Sequence, residues 1–125
     1  FRGCKSLISF KIPPCLQHFG FGSFQGCELI TEIIIPNEVS SIGESCFYNC
    51  KSLKSVKMHN GISYMGDDAF SGCTSFHVLE IPNGVYRLPQ NFFDGSSINT
   101  IIIPTPNYNC RDYNFPRNAT IRTKV

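Results

Sequence analysis

The sequence predicts a right-handed repeat solenoid, in which short parallel strands and the turns that follow them stack from coil to coil. Three observations lead to this fold class. A 23-residue unit recurs along the chain, each unit holds a short apolar stretch with strand-like alternation, and proline or turn-forming residues follow that stretch. A single unit cannot bury its apolar side chains alone, whereas stacked units share one continuous core.

Phenylalanine and cysteine define the repeat. Phenylalanine recurs every 23 residues, and cysteine follows three residues later in the first four units, with Ser96 in the fifth. Because the chain has only 11 phenylalanines among 125 residues, four consecutive matches at one fixed step have a chance probability of about 10⁻⁴. The anchors are Phe1, Phe24, Phe47, Phe70 and Phe93, followed by Cys4, Cys27, Cys50 and Cys73.

Equivalent positions in successive units predict columns of the core. Six residues after each phenylalanine the side chain is apolar, and we expect these residues to stack internally. The four repeat cysteines should form a second column, with free thiols, because equivalent side chains of neighbouring coils lie about 4.8 Å apart, whereas the Cβ atoms of a disulfide lie about 3.8 Å apart. The apolar column comprises Leu7, Ile30, Leu53 and Phe76.

About five units occupy residues 1–104, with some departures from the pattern. His59 replaces the proline that ends the strand in other units, and Pro89 replaces the glycine that follows the second apolar pair. The stretch G-x-x-A-F-x-x-C could make one helical or 3₁₀ turn between coils. The fifth unit fits the register if one residue is deleted near Ser96.

The register is lost beyond Pro104, and we expect residues 105–125 to form a C-terminal capping segment, because a solenoid end otherwise exposes a cross-section of its core. Ala119, Ile121 and Val125 occupy alternating positions, which predicts a final strand with these side chains packed on the last coil. No comparable segment precedes Phe1, so we expect an open N-terminal coil that further repeats would cover.

The unit reads F-x-x-C-x-x-L-x-x-I-x-I-P-x-x-V-x-x-I-G-x-x-A, and residues 24–46, FQGCELITEIIIPNEVSSIGESC, match it best. This pattern resembles the BspA-like class of leucine-rich repeats over residues 1–104. The resemblance implies a curved leucine-rich-repeat solenoid with a parallel β-sheet on its concave face and short turns or second strands on its convex side. It also implies a cell-surface or extracellular protein with a role in adhesion or host interaction.

Composition excludes several classes of function. The formal net charge is only +2, so no basic patch for nucleic acid is expected. The longest apolar runs are three isoleucines, at residues 33–35 and 101–103, which are far too short for insertion into a membrane. The expected partner is therefore another protein or a surface macromolecule.

Two arrangements could in principle carry chemistry. Cys46-x₃-Cys50 and Cys73-x₃-His77 match paired zinc-ligand spacings, but Cys46 occupies a small inward position of the repeat and His77 an exposed one. The three histidines fall at three different repeat positions, so no nucleophile and base converge. We therefore predict no enzyme activity, no metal site and no cofactor.

The non-core positions of the strands form the candidate partner-binding surface, because they vary between coils while the core does not. The simpler interpretation is a solvated sheet face, which explains Ile34, Val78 and Ile102 least well. The candidate positions are Lys11, Glu32, Ile34, Ser55, Lys57, Val78, Glu80, Thr100 and Ile102.

Three functional hypotheses remain open. The first is a protein-interaction module for surface adhesion or ligand binding, in which the sequon at Asn118 would be a candidate glycosylation site. The second is an intracellular, cytoplasmic scaffold or regulatory subunit that organises a partner enzyme. The third is a purely structural spacer between other domains. A column of unpaired cysteines would favour a reducing compartment, whereas the family resemblance favours the surface.

Overall fold

The computed structural model describes residues 2–7, 12, 15–85, 89, 91–92, 94–104 and 119–123. These residues form short strands joined by turns, and each strand contains only two to four residues. In chain order the strands are β1 (His18–Phe19), β2 (Glu32–Ile34), β3 (Ser41–Ile42), β4 (Ser55–Lys57), β5 (Tyr64–Met65), β6 (Val78–Glu80), β7 (Thr100–Ile103) and β8 (Thr120–Thr123).

All strand pairs are parallel, as predicted for stacked coils. Among the described residues the first strands of the coils form two groups, in which β2 pairs with β4, and β6, β7 and β8 pair in that order. The second strands β1, β3 and β5 form a separate sheet. The predicted β-solenoid is therefore confirmed.

The strand register follows the 23-residue repeat. His18 pairs with Ser41, Glu32 with Ser55, and Ser41 with Tyr64, and the partners in each pair are 23 residues apart. Val78 pairs with Thr100, a step of 22, which confirms the one-residue deletion predicted for the fifth unit. The last pairing, Thr100 with Thr120, has a step of 20 residues.

The predicted apolar column is buried. Ile30 and Leu53 are 0% exposed and Phe76 is 1% exposed, while Leu7 packs against the core from a partly buried position. The register inferred from the sequence is therefore correct in this part of the chain.

The repeat phenylalanines stack ring on ring. The centroids of Phe24 and Phe47 lie 5.6 Å apart with the ring planes 8° from parallel, and those of Phe47 and Phe70 lie 5.4 Å apart at 13°. Phe92, which occupies a small-residue position of the repeat, meets Phe70 edge-on at 5.2 Å. Phe1 and Phe93 lie outside the described residues.

The corners around each F-x-x-C segment are turns, and the expected helical turn is absent from the described residues. The reason lies in the backbone, because two positions in each corner have positive φ and so cannot continue a right-handed helix. Glycine, serine, aspartate and asparagine fill these positions: Gly22, Ser45, Asp68 and Asn91 in one column, and Gly3, Gly26, Asn49, Gly72 and Gly95 in the other.

Backbone hydrogen bonds join the corners of neighbouring coils. The amide of Phe24 donates to the carbonyl oxygen of Cys46 at 2.9 Å, and the amide of Phe47 donates to Ala69 at 2.9 Å. Two residues further along, the amide of Asn49 donates to Ser71 at 2.9 Å. The phenylalanine that anchors the repeat therefore links two coils through both its ring and its backbone.

The repeat cysteines donate hydrogen bonds within the core. The Sγ atoms of Cys50 and Cys73 lie 3.1 Å from the carbonyl oxygens of Phe24 and Phe47, each in the preceding coil. Burial raises the pKa of Cys73 and of Cys46 to about 12, and it also raises the pKa of Cys27 and Cys50. These thiols therefore stay protonated at neutral pH and serve as small, hydrogen-bonded core side chains.

The C-terminal strand departs from its predicted packing. Ala119 packs against the core as expected, but Ile121 is 42% exposed, although its alternation predicted that it would pack on the last coil. Among the described residues β8 has a neighbouring strand on one side only, so its inward side chains are covered less fully. Residues 105–118 and Val125 lie outside the described part of the chain, and the capping role stays a prediction.

Close approach of the coils explains a repeated glycine. A Cβ atom at Gly43 would lie 2.7 Å from the carbonyl oxygen of Phe19, whereas a Cβ at Gly20, the same position one coil earlier, would meet only Ser23 Oγ at 3.8 Å. We expect Gly43→Ala to lower the free energy of unfolding by about 1–3 kcal/mol through overpacking. Gly20→Ala should change it by less than about 0.5 kcal/mol. Urea denaturation of both variants measures the difference, and equal effects would contradict the close approach.

The raised thiol pKa values predict a loss of stability at alkaline pH. Below pH 9 a thiol is protonated in both the folded and the unfolded state and contributes no pH dependence. Between about pH 9 and 12 the unfolded chain releases a proton that Cys73 retains when folded, so the free energy of unfolding falls as pH rises, by up to about 1.4 kcal/mol per pH unit for each such thiol.

Comparison of variants isolates this effect from other alkaline titrations. Denaturation curves from pH 8 to 11 should fall less steeply for Cys73→Ala than for the unsubstituted chain. Cys15→Ala, which removes an exposed thiol, should leave the slope unchanged. Identical slopes for all three proteins would show that the Cys73 thiol titrates alike in both states.

Candidate binding surface

The outward positions of β2, β4, β6 and β7 form one surface, which we call the first-strand face. Within it Glu32, Ile34, Lys57, Val78 and Glu80 are exposed. Three further positions are half-buried, namely Ser55, Thr100 and Ile102. Lys11, the remaining candidate from the sequence, lies outside the described residues.

Apolar and charged side chains alternate on this face. Ile34 is 60% exposed and Val78 is 48% exposed, although both are β-branched residues that usually fill cores. Ile34 lies beside Lys57 in the register, and the Lys57 ammonium lies 3.6 Å from the Glu32 carboxylate. Both partners of this ion pair are solvated, so it contributes at most about 1 kcal/mol to stability.

The outward positions of β1, β3 and β5 form a separate surface, the second-strand face, with a row of polar residues that was not predicted from the sequence. Successive strands β1, β3 and β5 place His18, Ser41 and Tyr64 in adjacent positions. A 2.7 Å hydrogen bond joins His18 Nδ1 and Ser41 Oγ, and Tyr64 is 55% exposed. The spacing of 23 residues could have revealed this row. The pair lies on an open surface, whereas nucleophilic catalysis needs an enclosed, oriented base.

The zinc-like spacings do not converge in the structure. Cys46, Cys50 and Cys73 are 0% exposed inside the core, whereas His77 is exposed and its Nδ1 lies 3.1 Å from the Ser97 carbonyl oxygen. Across the part of the chain that the structure describes, no group of histidine, cysteine or acidic side chains is arranged to hold a metal ion.

His59, which replaces a repeat proline, joins the turn after β4 to the preceding coil by a hydrogen bond. Its Nε2 lies 2.8 Å from the carbonyl oxygen of Pro36 and therefore donates to it. The amide of Gly61 donates to its Nδ1 at 3.1 Å. The two bonds together assign Nε2 as the donor and Nδ1 as the acceptor of this ring.

The first-strand face is interrupted between the third and fourth coils. β4 and β6 occupy equivalent positions of the repeat, but they belong to separate sheets and are not hydrogen-bonded to each other. A cleft of about 310 Å³ opens here, and Lys57, Met58, His59, Glu80 and Pro82 contribute to its lining.

Within the described ranges, no helix is long and apolar enough to span a membrane.

Comparison with solved structures gives two close matches to this architecture. A leucine-rich repeat protein from Bacteroides ovatus is 26% identical with a TM-score of 0.68, over 90% of this chain and 28% of that protein. A leucine rich cell surface protein from Faecalibacterium prausnitzii is 25% identical with a TM-score of 0.76, over 93% of this chain and 32% of that protein. This chain thus spans about a third of the length of either neighbour. No curated protein matches it.

The sequence profile of the BspA type Leucine rich repeat region matches residues 1–122 in six copies, one more than the five units predicted. The additional copy is consistent with β8, which extends the sheet beyond β7. Repeats of this kind are generally non-enzymatic modules that bind other proteins. Because the profile covers nearly the whole chain, the protein belongs to the BspA-type leucine-rich repeat family.

Proposed function

We propose that this chain is a protein-binding module at a cell surface, where it contributes to adhesion or ligand binding through its first-strand face. The observation that carries the proposal is the exposure of Ile34 and Val78, at 60% and 48%, on strands whose inward residues Ile33 and Leu79 are only 2% and 0% exposed. A sheet surface that only faces solvent accounts for the charged, serine and threonine residues, but it does not account for exposed isoleucine and valine, which water solvates poorly.

The chemistry of the face suits a protein partner. Exposed apolar side chains provide area that can be buried, and the neighbouring Glu32–Lys57 pair supplies a polar rim. The opposite charges on the face offer no concentrated field for a polyanion, in agreement with the formal net charge of +2.

Two observations support a surface location. The Faecalibacterium neighbour is described as a cell surface protein, and the sequon at Asn118 would be used only in a chain that is glycosylated on secretion. The buried cysteine column does not argue for the cytoplasm, because thiols that are protonated and hydrogen-bonded in a core react slowly in either compartment. A cytoplasmic scaffold would therefore need support from another feature.

Substitution on the face tests the proposal. Purified protein should bind saturably to at least one member of an immobilised panel of extracellular-matrix and cell-surface proteins. Ile34→Asp combined with Val78→Asp places charges where apolar area would be buried, and should weaken that binding at least about tenfold, or about 1.4 kcal/mol. Surface plasmon resonance measures the change.

Tyr64→Asp is the matched control, because Tyr64 is equally exposed but lies on the second-strand face. It should leave the affinity unchanged. Equal loss in both proteins, no loss in either, or no binding to any member of the panel would contradict the assignment.

A further inference from the structure

The gap between β4 and β6 is a local opening between two coils that contact each other on both sides of it. On one side of it, the amide of Phe47 donates to Ala69 at 2.9 Å and the rings of Phe47 and Phe70 stack. On the other side, Asn60 Oδ1 accepts from the amide of Asn83 at 3.2 Å. The two coils are therefore joined at both ends of the gap, which makes the opening part of the folded structure.

The hydrogen-bond pattern shows which backbone groups of β4 point into the gap. The amide of Ser55 donates to Thr31, and the amide of Ile35 donates to the carbonyl oxygen of Lys57. The backbone N–H and C=O groups of Ser55 and Lys57 therefore point toward the β2 side and are hydrogen-bonded there. Because alternate residues of a parallel strand bond to opposite sides, the N–H and C=O groups of Val56 and Met58 point toward β6, with which β4 is not paired.

Side-chain exposure gives independent support for the opening. Val56 and Met58 occupy inward positions of the repeat, but both are only partly buried. In the neighbouring coils the residues equivalent to Val56 are buried, since Ile33 is 2% exposed and Leu79 is 0% exposed. The gap therefore exposes both an apolar floor and a strand edge.

The lining restricts the chemistry of an occupant. Lys57 and Glu80 contribute opposite charges from the two walls, and Met58 and Pro82 contribute apolar surface. Because the lining carries one positive and one negative side chain, it has no excess charge that would select an anion or a cation. An extended peptide is neutral along its main chain, and it carries the alternating donors and acceptors that an open strand edge requires.

We propose that this gap is a binding slot for an extended peptide segment of a protein partner, which adds as a parallel strand to the open edge of β4 and places an apolar side chain against Val56 and Met58. The cleft volume of about 310 Å³ falls at the lower end of the range of about 300–1,000 Å³ that is typical of ligand sites. The inference rests on the proposed protein-binding function and specifies how part of the partner is recognised.

A short synthetic peptide tests the slot directly. The ligand is acetyl-Thr-Val-Thr-Val-Thr-amide, titrated into isotopically labelled protein while the backbone amide resonances are followed by NMR. The amide protons of Val56 and Met58 should shift saturably. Shifts confined to other regions, or none at the highest soluble concentration, would overturn the proposal.

Two N-methylated peptides provide a matched pair. In this solenoid the outward residues of each strand bond to the preceding coil, as Ser55 and Lys57 do. A peptide whose valines face inward would therefore bond to β4 through its threonines. N-methylation of the threonines should weaken binding at least tenfold, whereas N-methylation of the valines should weaken it less. The reverse order, or equal effects, would overturn the proposed geometry.

A substitution in the protein removes one backbone donor. Val56→Pro deletes the N–H that points into the gap and leaves the bonds of Ser55 and Lys57 to β2, whereas Val56→Ala removes the same side chain and keeps the donor. Peptide affinity should fall at least fivefold further in the proline variant than in the alanine variant. Equal affinities in two folded variants would overturn the role of this edge, and the peptide pair decides the question if the proline variant does not fold.

Failure of the slot and failure of the proposed function can be distinguished. If the peptide does not bind but Ile34→Asp with Val78→Asp still weakens partner binding, the slot is wrong and the binding face stands. If the peptide shifts the amide resonances of Val56 and Met58 but the substitutions at Ile34 and Val78 leave partner affinity unchanged, the binding slot is supported and the face assignment is wrong.

Discussion

The structure depends on contacts at the F-x-x-C corner, where each coil is held against the next. Three interactions coincide there: stacked phenylalanine rings 5.4–5.6 Å apart, backbone bonds such as Phe47 N–H to Ala69, and buried thiols that donate to carbonyl oxygens of the preceding coil. A strand of two or three residues contributes few hydrogen bonds, so neither sheet could set the spacing of the coils alone. The corner sets that spacing.

This constraint leaves the strands free to vary. Because the coils are fixed at their corners, the first-strand face can carry exposed Ile34 and Val78 without loss of register, and β4 can separate from β6 without unstacking Phe47 from Phe70. The turn after β4 is bonded to both neighbouring coils, through His59 to Pro36 in the second and through Asn60 to Asn83 in the fourth. Rigid corners and a permissive face suit a binding module.

The core could be predicted from the sequence because burial is repeated. Leu53 and Phe76 share a phase with Ile30, and all three are buried. The opening between β4 and β6 could not be predicted, because Val56 has the same apolar character as Ile33 and Leu79, and only His59 marked this coil as unusual. The positive-φ positions were missed because the residues that tolerate this conformation differ from coil to coil, for example Ser45 and Asp68. No property of an exposed isoleucine in the sequence distinguishes a binding surface from a solvated one.

Native-state hydrogen exchange, resolved by residue, tests directly whether the corners hold the stack together while the sheet is open between β4 and β6. Exchange should be slow for the corner amides of Phe24, Phe47 and Asn49, which donate to the next coil, and fast for the amides of Val56 and Met58, which face the gap. Corner amides that exchange as fast as those in the gap, or Val56 and Met58 amides as protected as the corners, would contradict it.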